Sequence, residues 1–170
     1  MQTELILRII LTTLVLFMMG YVFQIWMRKR HPRALPAPLD VQSPPVDAER
    51  HLRGLCSKVI FPGSGQDYPK QDSTVTVHYT GWTTNGKMFD SSWLREQPST
   101  FNLGHVIEGW REGLQEMVVG EYRRLWIPEE LAYQGQRGKP QGMLVFDVQL
   151  IAIAGVAPAA RAQEELKSEL

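Results

Sequence analysis

Two neighbouring segments of the sequence bring one phenol, one phenyl ring and one carboxylate close together. Apolar and polar side chains alternate over residues 74–82, so Tyr79 lies on the apolar face of a half-buried β-strand. After a turn at 84–87, Phe89 stands directly before Asp90. An apolar strand face beside an aromatic and an acid predicts a small binding pocket, and no nucleophile or metal ligand set accompanies it.

The composition argues against several classes of function. The 170 residues carry 18 basic and 18 acidic side chains, so the formal net charge is zero, whereas a nucleic-acid-binding surface needs a basic excess. The single cysteine, Cys56, cannot form a disulfide within the chain or supply a zinc-ligand cluster. The four histidines, at 31, 51, 78 and 105, do not have the spacing of a metal-binding motif. We therefore predict no nucleic-acid partner, no metal and no other cofactor.

An apolar segment near the N-terminus has the length of a membrane-spanning helix. Residues 9–27 contain only Thr12, Thr13 and Gln24 as polar interruptions, and about 20 apolar residues cross a bilayer as a helix. A cleaved signal peptide is the alternative, but this stretch is longer than the ~7–15 apolar residues of a signal peptide, and a basic run at 28–30 replaces the cleavage site. The sequence predicts a single-pass anchor in a lipid bilayer through residues 9–27.

The charges beside this segment predict its orientation. Four lysine or arginine residues lie between 28 and 33, whereas Arg8 is the only one before the segment. Because basic residues are enriched on the cytoplasmic side of membrane spans, this asymmetry favours a cytoplasmic location for the C-terminal domain.

Proline content and hydrophobic periodicity divide the rest of the chain. Five prolines within 31–51 indicate an extended linker between the anchor at 1–30 and the folded domain. We place that domain at 52–154 and a short tail at 155–170. Within the domain, apolar or alternating runs predict strands at 55–61, 74–81, 100–103, 121–127 and 144–153.

One segment of the domain has helical periodicity. Ile107, Trp110, Leu114 and Met117 recur at the spacing of an amphipathic helix of about three turns, with Gly120 at its C-cap. A single helix cannot cover both faces of a parallel sheet. The pattern therefore predicts an α+β domain in which antiparallel strands bend around one short helix.

Six short motifs share the order and spacing of a known family. They are V-T-V-H-Y-T-G at 75–81, G-K-M-F-D-S-S at 86–92, F-x-L-G at 101–104, V-I-E-G-W-R-E-G-L at 106–114, P-E-E-L-A-Y at 128–133 and L-V-F-D-V-Q-L at 144–150. Over about residues 52–153 the chain resembles the FKBP family of peptidyl-prolyl cis-trans isomerases. The resemblance implies an antiparallel half-barrel wrapped around one short helix, and an enzyme that isomerises X-Pro bonds of protein chains and assists their folding. Together with the anchor predicted at 9–27, it indicates that this activity takes place near a membrane.

The resemblance also implies a set of site residues. Trp110 is the expected floor of a proline-binding pocket, Asp90 and Tyr133 are its polar contacts, and Arg95 is the partner of Asp90. The expected walls are Tyr79, Phe89, Val106, Ile107 and Phe146. The implied ligands are proline-containing polypeptides and macrolides such as tacrolimus or rapamycin.

The chemistry of X-Pro rotation fits this residue set. Rotation about a peptide bond costs about 18–20 kcal/mol because resonance is lost, and X-Pro bonds interconvert over tens to hundreds of seconds. The twisted transition state has less charge separation than the planar amide, so an apolar, water-poor pocket favours the transition state. Such a site needs no nucleophile, general base or metal.

Each assignment has an alternative on the residues alone. Trp110 lies on the apolar face of a helix, where a core residue is the ordinary interpretation, and Asp90 alone would be a turn residue. Tyr133 alone would be a loop aromatic. For the chain as a whole, the alternative is a non-catalytic FKBP-like binding module that tethers a partner at the membrane.

The sequence departs from the family in three places. Ser99 replaces a pocket aromatic that many members carry, so one wall is expected to be more open. The loop at 134–143 is shorter than in well-known eukaryotic members, and we expect Pro140 and Met143 to replace part of that lid. The chain also lacks a large insertion that would give a separate chaperone function.

Overall fold

The computed structural model describes residues 34–156, together with Met18. No helix in this part of the chain combines the length and hydropathy of a membrane span. The anchor predicted at 9–27 lies outside the described residues except for Met18, and so does the tail beyond residue 156. The strands and the α-helix of the described part are β1 (Glu49–Arg50), β2 (Cys56–Phe61), β3 (Thr74–Thr83), β4 (Met88–Ser91), β5 (Ser99–Asn102), α1 (Glu108–Leu114), β6 (Tyr122–Ile127) and β7 (Leu144–Ile153).

These strands form one antiparallel sheet. Its order is β1-β2-β6-β7-β3-β4, and β5 pairs with the first half of β3. The two ten-residue strands, β3 and β7, pair from Val75 opposite Ile153 to Thr83 opposite Leu144. The predicted antiparallel sheet with one short helix is confirmed. The sequence did not predict β1 and β4, because β1 has only two residues and the Met-Phe-Asp-Ser sequence of β4 does not alternate between apolar and polar.

The main core lies between one face of the sheet and α1. Val75, Val77 and Tyr79 are buried there, as the alternation over 74–82 predicts. From the helix, Trp110 and Leu114 are buried against them. A hydrophobic cluster of this kind holds the sheet and helix together because burying each large side chain contributes about 1.5–3 kcal/mol.

Helix α1 is shorter than predicted. It ends at Leu114, and turns take the chain from there to β6, so Met117 is buried from a turn rather than from a third helical turn. Gly120, the predicted C-cap, lies in these turns with φ of +89°. Two glycines in α1 explain the close approach of helix and sheet, since a Cβ at Gly113 would stand 2.7 Å from the side chain of Leu125.

A segment before β1 covers the opposite face of the sheet. We call residues 35–48 the strap. The indole Nε1 of Trp126 donates to the backbone carbonyl of Asp40 at 2.9 Å, and that of Trp82 donates to the carbonyl of Leu35 at 3.2 Å. The Asp40 carboxylate is also paired with Arg124.

The strap therefore differs from the extended linker predicted at 31–51, because it packs on the sheet. Val41 and Ala48 are buried beside Trp82 and Trp126, and the compact unit begins at Ala34 instead of residue 52. The physical reason is that Trp82 and Trp126 lie on the face of the sheet opposite to α1, where each indole needs both cover and a hydrogen-bond acceptor. Two of its prolines begin turns, since the backbone N–H of Val41 donates to the carbonyl of Pro38 and that of Ala48 to the carbonyl of Pro45.

Candidate active site

A cavity of about 760 Å³ opens at one end of the main core. Its volume falls within the range of about 300–1,000 Å³ that is usual for small-ligand sites. The eight predicted site residues all line it: Tyr79, Phe89, Asp90, Val106, Ile107, Trp110, Tyr133 and Phe146. The structure thus brings together residues that the sequence places in five separate motifs.

The floor of the cavity is Trp110, in the first turn of α1. The side chain is buried, with 4% of its surface exposed. Three rings meet it edge to face, with centroid distances of 5.0 Å to Tyr79, 5.3 Å to Phe146 and 5.4 Å to Phe101. Its indole Nε1 is buried without a hydrogen-bond partner among the described residues. Trp110 is therefore both a core residue and a cavity residue.

Two phenyl rings form one wall of the cavity. Phe89 on β4 and Phe146 on β7 meet edge to face with centroids 5.4 Å apart. Both rings pack over Gly81, where a Cβ would stand 2.6 Å from Phe89 and 2.7 Å from Phe146. The register explains this arrangement, because Gly81 pairs with Phe146 on one side and with Asp90 on the other. A glycine at position 81 is thus required for the wall to form.

A polar cluster of three side chains holds the acid of the site. The hydroxyl of Tyr79 donates to one carboxylate oxygen of Asp90, and Arg95 Nη1 donates to the other. Arg95 Nη2 also donates to the Tyr79 hydroxyl at 3.0 Å. Arg95 was predicted as the partner of Asp90, and the structure brings the two together.

The cluster keeps Asp90 charged. Burial alone would raise the pKa of Asp90, but the hydrogen bonds from Tyr79 and Arg95 outweigh it, so the pKa lies below the ordinary value of 3.8. Burial raises the pKa of Tyr79, and the bond to Asp90 raises it further. At neutral pH the cavity therefore presents an ionised carboxylate and a neutral phenol.

Tyr133 contributes a second phenol from the loop after β6. Burial raises its pKa, and the negative charge of Asp90 adds to the effect, so the hydroxyl is protonated at neutral pH. Within residues 34–156 this hydroxyl has no hydrogen-bond partner. It is consequently a free donor at the mouth of an apolar cavity, beside Val106 and Ile107.

The cavity also contains residues that the sequence did not single out. They are Thr83, Lys87, Phe101, His105, Gly138 and Lys139. Phe101 is the most important omission, because its ring contacts both Tyr79, at 5.9 Å, and Trp110, at 5.4 Å. It was visible as the phenylalanine of the F-x-L-G motif, two residues beyond Ser99, and the same strand face carries both.

The two expectations for the lid have different outcomes. Pro140 lines the cavity as expected. Met143 does not: its side chain packs with the outer cluster around Trp82 and Trp126, because the chain has already entered the sheet at Leu144. On the opposite side, Ser99 Oγ accepts a hydrogen bond from Arg95 Nη2 at 3.4 Å.

A second cluster of titratable groups lies away from the cavity. Glu49, His51 and Glu116 place their ligand atoms within 4.8 Å of one another. Arg123 occupies this cluster, since its guanidinium lies 3.1 Å from Glu49 and 3.4 Å from Glu116. The arginine supplies the positive charge that a cation would otherwise supply, so the cluster is a network of ion pairs.

Comparisons with known proteins agree on one family. The family model described as FKBP-type peptidyl-prolyl cis-trans isomerase matches residues 65–151. A peptidyl-prolyl cis-trans isomerase of Schizosaccharomyces pombe is 45% identical over 107 residues, which are 59% of this chain and 95% of that protein. FK506-binding protein 1 of Saccharomyces cerevisiae is 46% identical over 101 residues, which are 55% of this chain and 88% of that protein.

A solved structure supports the same fold. The crystal structure of FkpA from Escherichia coli matches with a TM-score of 0.60 and 40% sequence identity. The match covers 64% of this chain and 52% of that chain, so this chain spans about half the length of FkpA.

Proposed function

Because the chain belongs to the FKBP-type peptidyl-prolyl cis-trans isomerase family and is an isomerase of that type, we propose that it interconverts X-Pro bonds of protein chains close to a membrane and thereby assists their folding. The observation that carries the proposal is the aromatic cavity itself. All eight residues assigned from the sequence line this one space, and its floor and walls are apolar.

The aromatic floor and walls explain how the cavity lowers the rotational barrier. A proline ring placed on Trp110 is enclosed by Phe89, Phe101 and Phe146, which exclude water from the amide. The planar amide has a larger charge separation than the twisted amide. Loss of water therefore raises the free energy of the planar state more than that of the twisted state. The site thus binds the transition state better than the ground state, which is the requirement for catalysis.

The polar groups orient the substrate in this apolar space. The free hydroxyl of Tyr133 donates to a substrate carbonyl oxygen, and the buried Nε1 of Trp110 offers a second donor at the floor. Asp90 stays ionised through Tyr79 and Arg95, and it places a fixed negative charge beside the amide. A fixed charge that needs no reorganisation can favour one charge distribution of the amide over another.

The same cavity is the proposed site for macrolides such as tacrolimus or rapamycin. The Saccharomyces cerevisiae relative is named an FK506-binding protein, and FK506 is tacrolimus. Pro140 supplies one apolar contact at the lid, but Ser99 supplies none at the opposite wall. We expect macrolides to bind and compete with peptides, with an affinity reduced by the open wall.

The proposed membrane location rests on the sequence of residues 9–33. Its support is the apolar run at 9–27 and the four basic residues that follow it. A deletion of residues 1–33 is the matched control, because it removes this segment and leaves the strap and the sheet intact.

Membrane fractionation of cells that produce either form tests the location. We expect the full chain to stay in the membrane pellet after carbonate extraction and the 34–170 form to be released. In sealed vesicles, protease should digest the domain only from the cytoplasmic face. A full chain found in the supernatant would rule out the anchor, and digestion from the opposite face would reverse the orientation.

A further inference from the structure

Two lysine side chains at the rim of the cavity have no part in the mechanism above. Lys87 lies in the turn between β3 and β4, and Lys139 lies in the loop between β6 and β7; both are exposed and both line the cavity. Lys139 Nζ stands 5.4 Å from the ring centroid of Tyr133. Both lysines therefore belong to the part of the cavity lining that is open to solvent.

Neither ammonium group is neutralised within residues 34–156. The lysine that does form an ion pair in this part of the chain is Lys58, whose Nζ lies 2.7 Å from Asp47, away from the cavity. Asp147, the carboxylate nearest to Lys139 along the chain, is paired with Arg124, and no ion pair joins Lys139 to Glu129 or Glu130 among the described residues. The positive charge of the rim is thus available to a ligand.

The one carboxylate of the cavity does not offset this charge. Asp90 is already paired with Arg95 and accepts from Tyr79. The Asp90–Arg95 pair is neutral as a unit, so the lining as a whole carries the two uncompensated charges of Lys87 and Lys139. Unpaired rim charges act on the rate of encounter and on the choice of partner more than on the reaction itself.

We propose that Lys87 and Lys139 select X-Pro substrates that carry an aspartate or glutamate immediately before or after the proline. The inference rests on the proposed isomerase function and names a substrate class for the same cavity. The proline occupies the apolar floor, and the neighbouring carboxylate reaches one of the two ammonium groups at the rim. Substrates with a lysine at those positions are disfavoured by the same charges.

Exchange NMR on matched peptides tests this selection with the full chain. The pairs are Ala-Glu-Pro-Phe against Ala-Gln-Pro-Phe and Ala-Leu-Pro-Glu against Ala-Leu-Pro-Gln, with acetylated and amidated ends. At low ionic strength, kcat/KM is expected to be about three- to fivefold higher for the glutamate member of at least one pair, the size expected for exposed charge pairs. This ratio should fall towards one as salt is added, because salt screens exposed charges.

The variants assign the ratio to the two lysines. In the Lys87→Gln, Lys139→Gln double variant the ratio of kcat/KM values should fall to about one, whereas Lys58→Gln should keep the wild-type ratio.

Equal rates for both members of both peptide pairs, each above the uncatalysed rate, would overturn the proposed substrate selection and leave the isomerase function unaffected. A rate at the uncatalysed level for every peptide would overturn both. If the double variant does not fold, the salt dependence of the wild-type ratio decides the same question, and a ratio that salt leaves unchanged would overturn the selection.

Discussion

Replacement of Trp110 by leucine is expected to lower kcat/KM for X-Pro isomerisation by about tenfold or more, which corresponds to about 1.4 kcal/mol of transition-state stabilisation. Leucine fills part of the space but removes the flat floor on which the proline ring rests. It also removes the edge-to-face contacts with Tyr79, Phe101 and Phe146. Without these contacts, the aromatic rings of the walls are no longer held in place around the amide.

The stability of this variant needs a control, because Trp110 is also in the core. Loss of a large buried aromatic costs about 3–5 kcal/mol when alanine replaces it, and less when leucine does. Trp126→Leu is the matched control, since Trp126 is fully buried on the opposite face of the sheet and lies under the strap. We expect similar losses in the free energy of unfolding for both variants, but a reduced kcat/KM per folded molecule only for Trp110→Leu. Equal kcat/KM values for the two variants would make Trp110 a core residue alone.

Replacement of Asp90 by alanine is expected to lower kcat/KM by about tenfold while the domain stays folded. The carboxylate is the common acceptor of Tyr79 and Arg95, so its loss removes the fixed charge beside the amide and leaves both donors free to reorient. The side chains of Asp90 and Arg95 are 41% and 47% exposed, and exposed ion pairs contribute at most about 1 kcal/mol to stability. Thermal unfolding measures the loss of stability, and exchange kinetics on the same sample measure the loss of kcat/KM.

Asp47→Ala is the control for loss of an exposed ion pair. Asp47 pairs with Lys58 outside the cavity, and this variant should keep the wild-type kcat/KM.

The pH dependence of kcat/KM gives a second check on Asp90. Because the pKa of Asp90 in the folded protein lies below its ordinary value, the carboxylate is charged throughout the range from about pH 5 to 8. The wild-type kcat/KM should therefore be constant over that range. Any contribution of the Asp90–Arg95 pair to the free energy of unfolding should be lost only as the pH falls through the pKa of Asp90 in the folded protein. An Asp90→Ala variant with wild-type kinetics would remove the acid from the mechanism.

The parts of the fold that the sequence predicts are those with a regular hydrophobic period. The alternation over 74–82 places Tyr79 correctly, and β7 has the predicted bounds, Leu144–Ile153. The helix was predicted too long, since Met117 continues the helical spacing from a turn that local periodicity cannot distinguish from a helix. Hydrophobic periodicity predicts which side chains face the core, but it does not determine whether the backbone at those positions is a helix or a turn.

The strap shows what periodicity misses. Its prolines are typical of an extended linker, and its two buried residues, Val41 and Ala48, are too few to establish a helical or strand period. Its attachment depends on Trp82 and Trp126, which are distant in sequence and reach it through indole hydrogen bonds. The available signal was the presence of two tryptophans and Val145 on the outer face of the strands, because large apolar side chains at a surface need cover.

The cavity is a more favourable case for prediction than the strap. Its eight predicted residues come together because each belongs to a motif whose order and spacing the family shares. Of the residues that the sequence missed, Phe101 belongs to the F-x-L-G motif but was not assigned to the site, and Lys139 lies in the short loop. Their position in the cavity depends on the path of the backbone between β6 and β7 and on the pairing of β5 with β3.

The most direct test of the central claim is the rate of cis–trans exchange in an Ala-Leu-Pro-Phe peptide, measured by NMR with and without the full chain. An apolar cavity that favours the twisted amide predicts an exchange rate that rises in proportion to the concentration of the protein. A rate equal to the uncatalysed one, in the presence of folded protein that binds the peptide, would contradict the account and leave a binding module in its place.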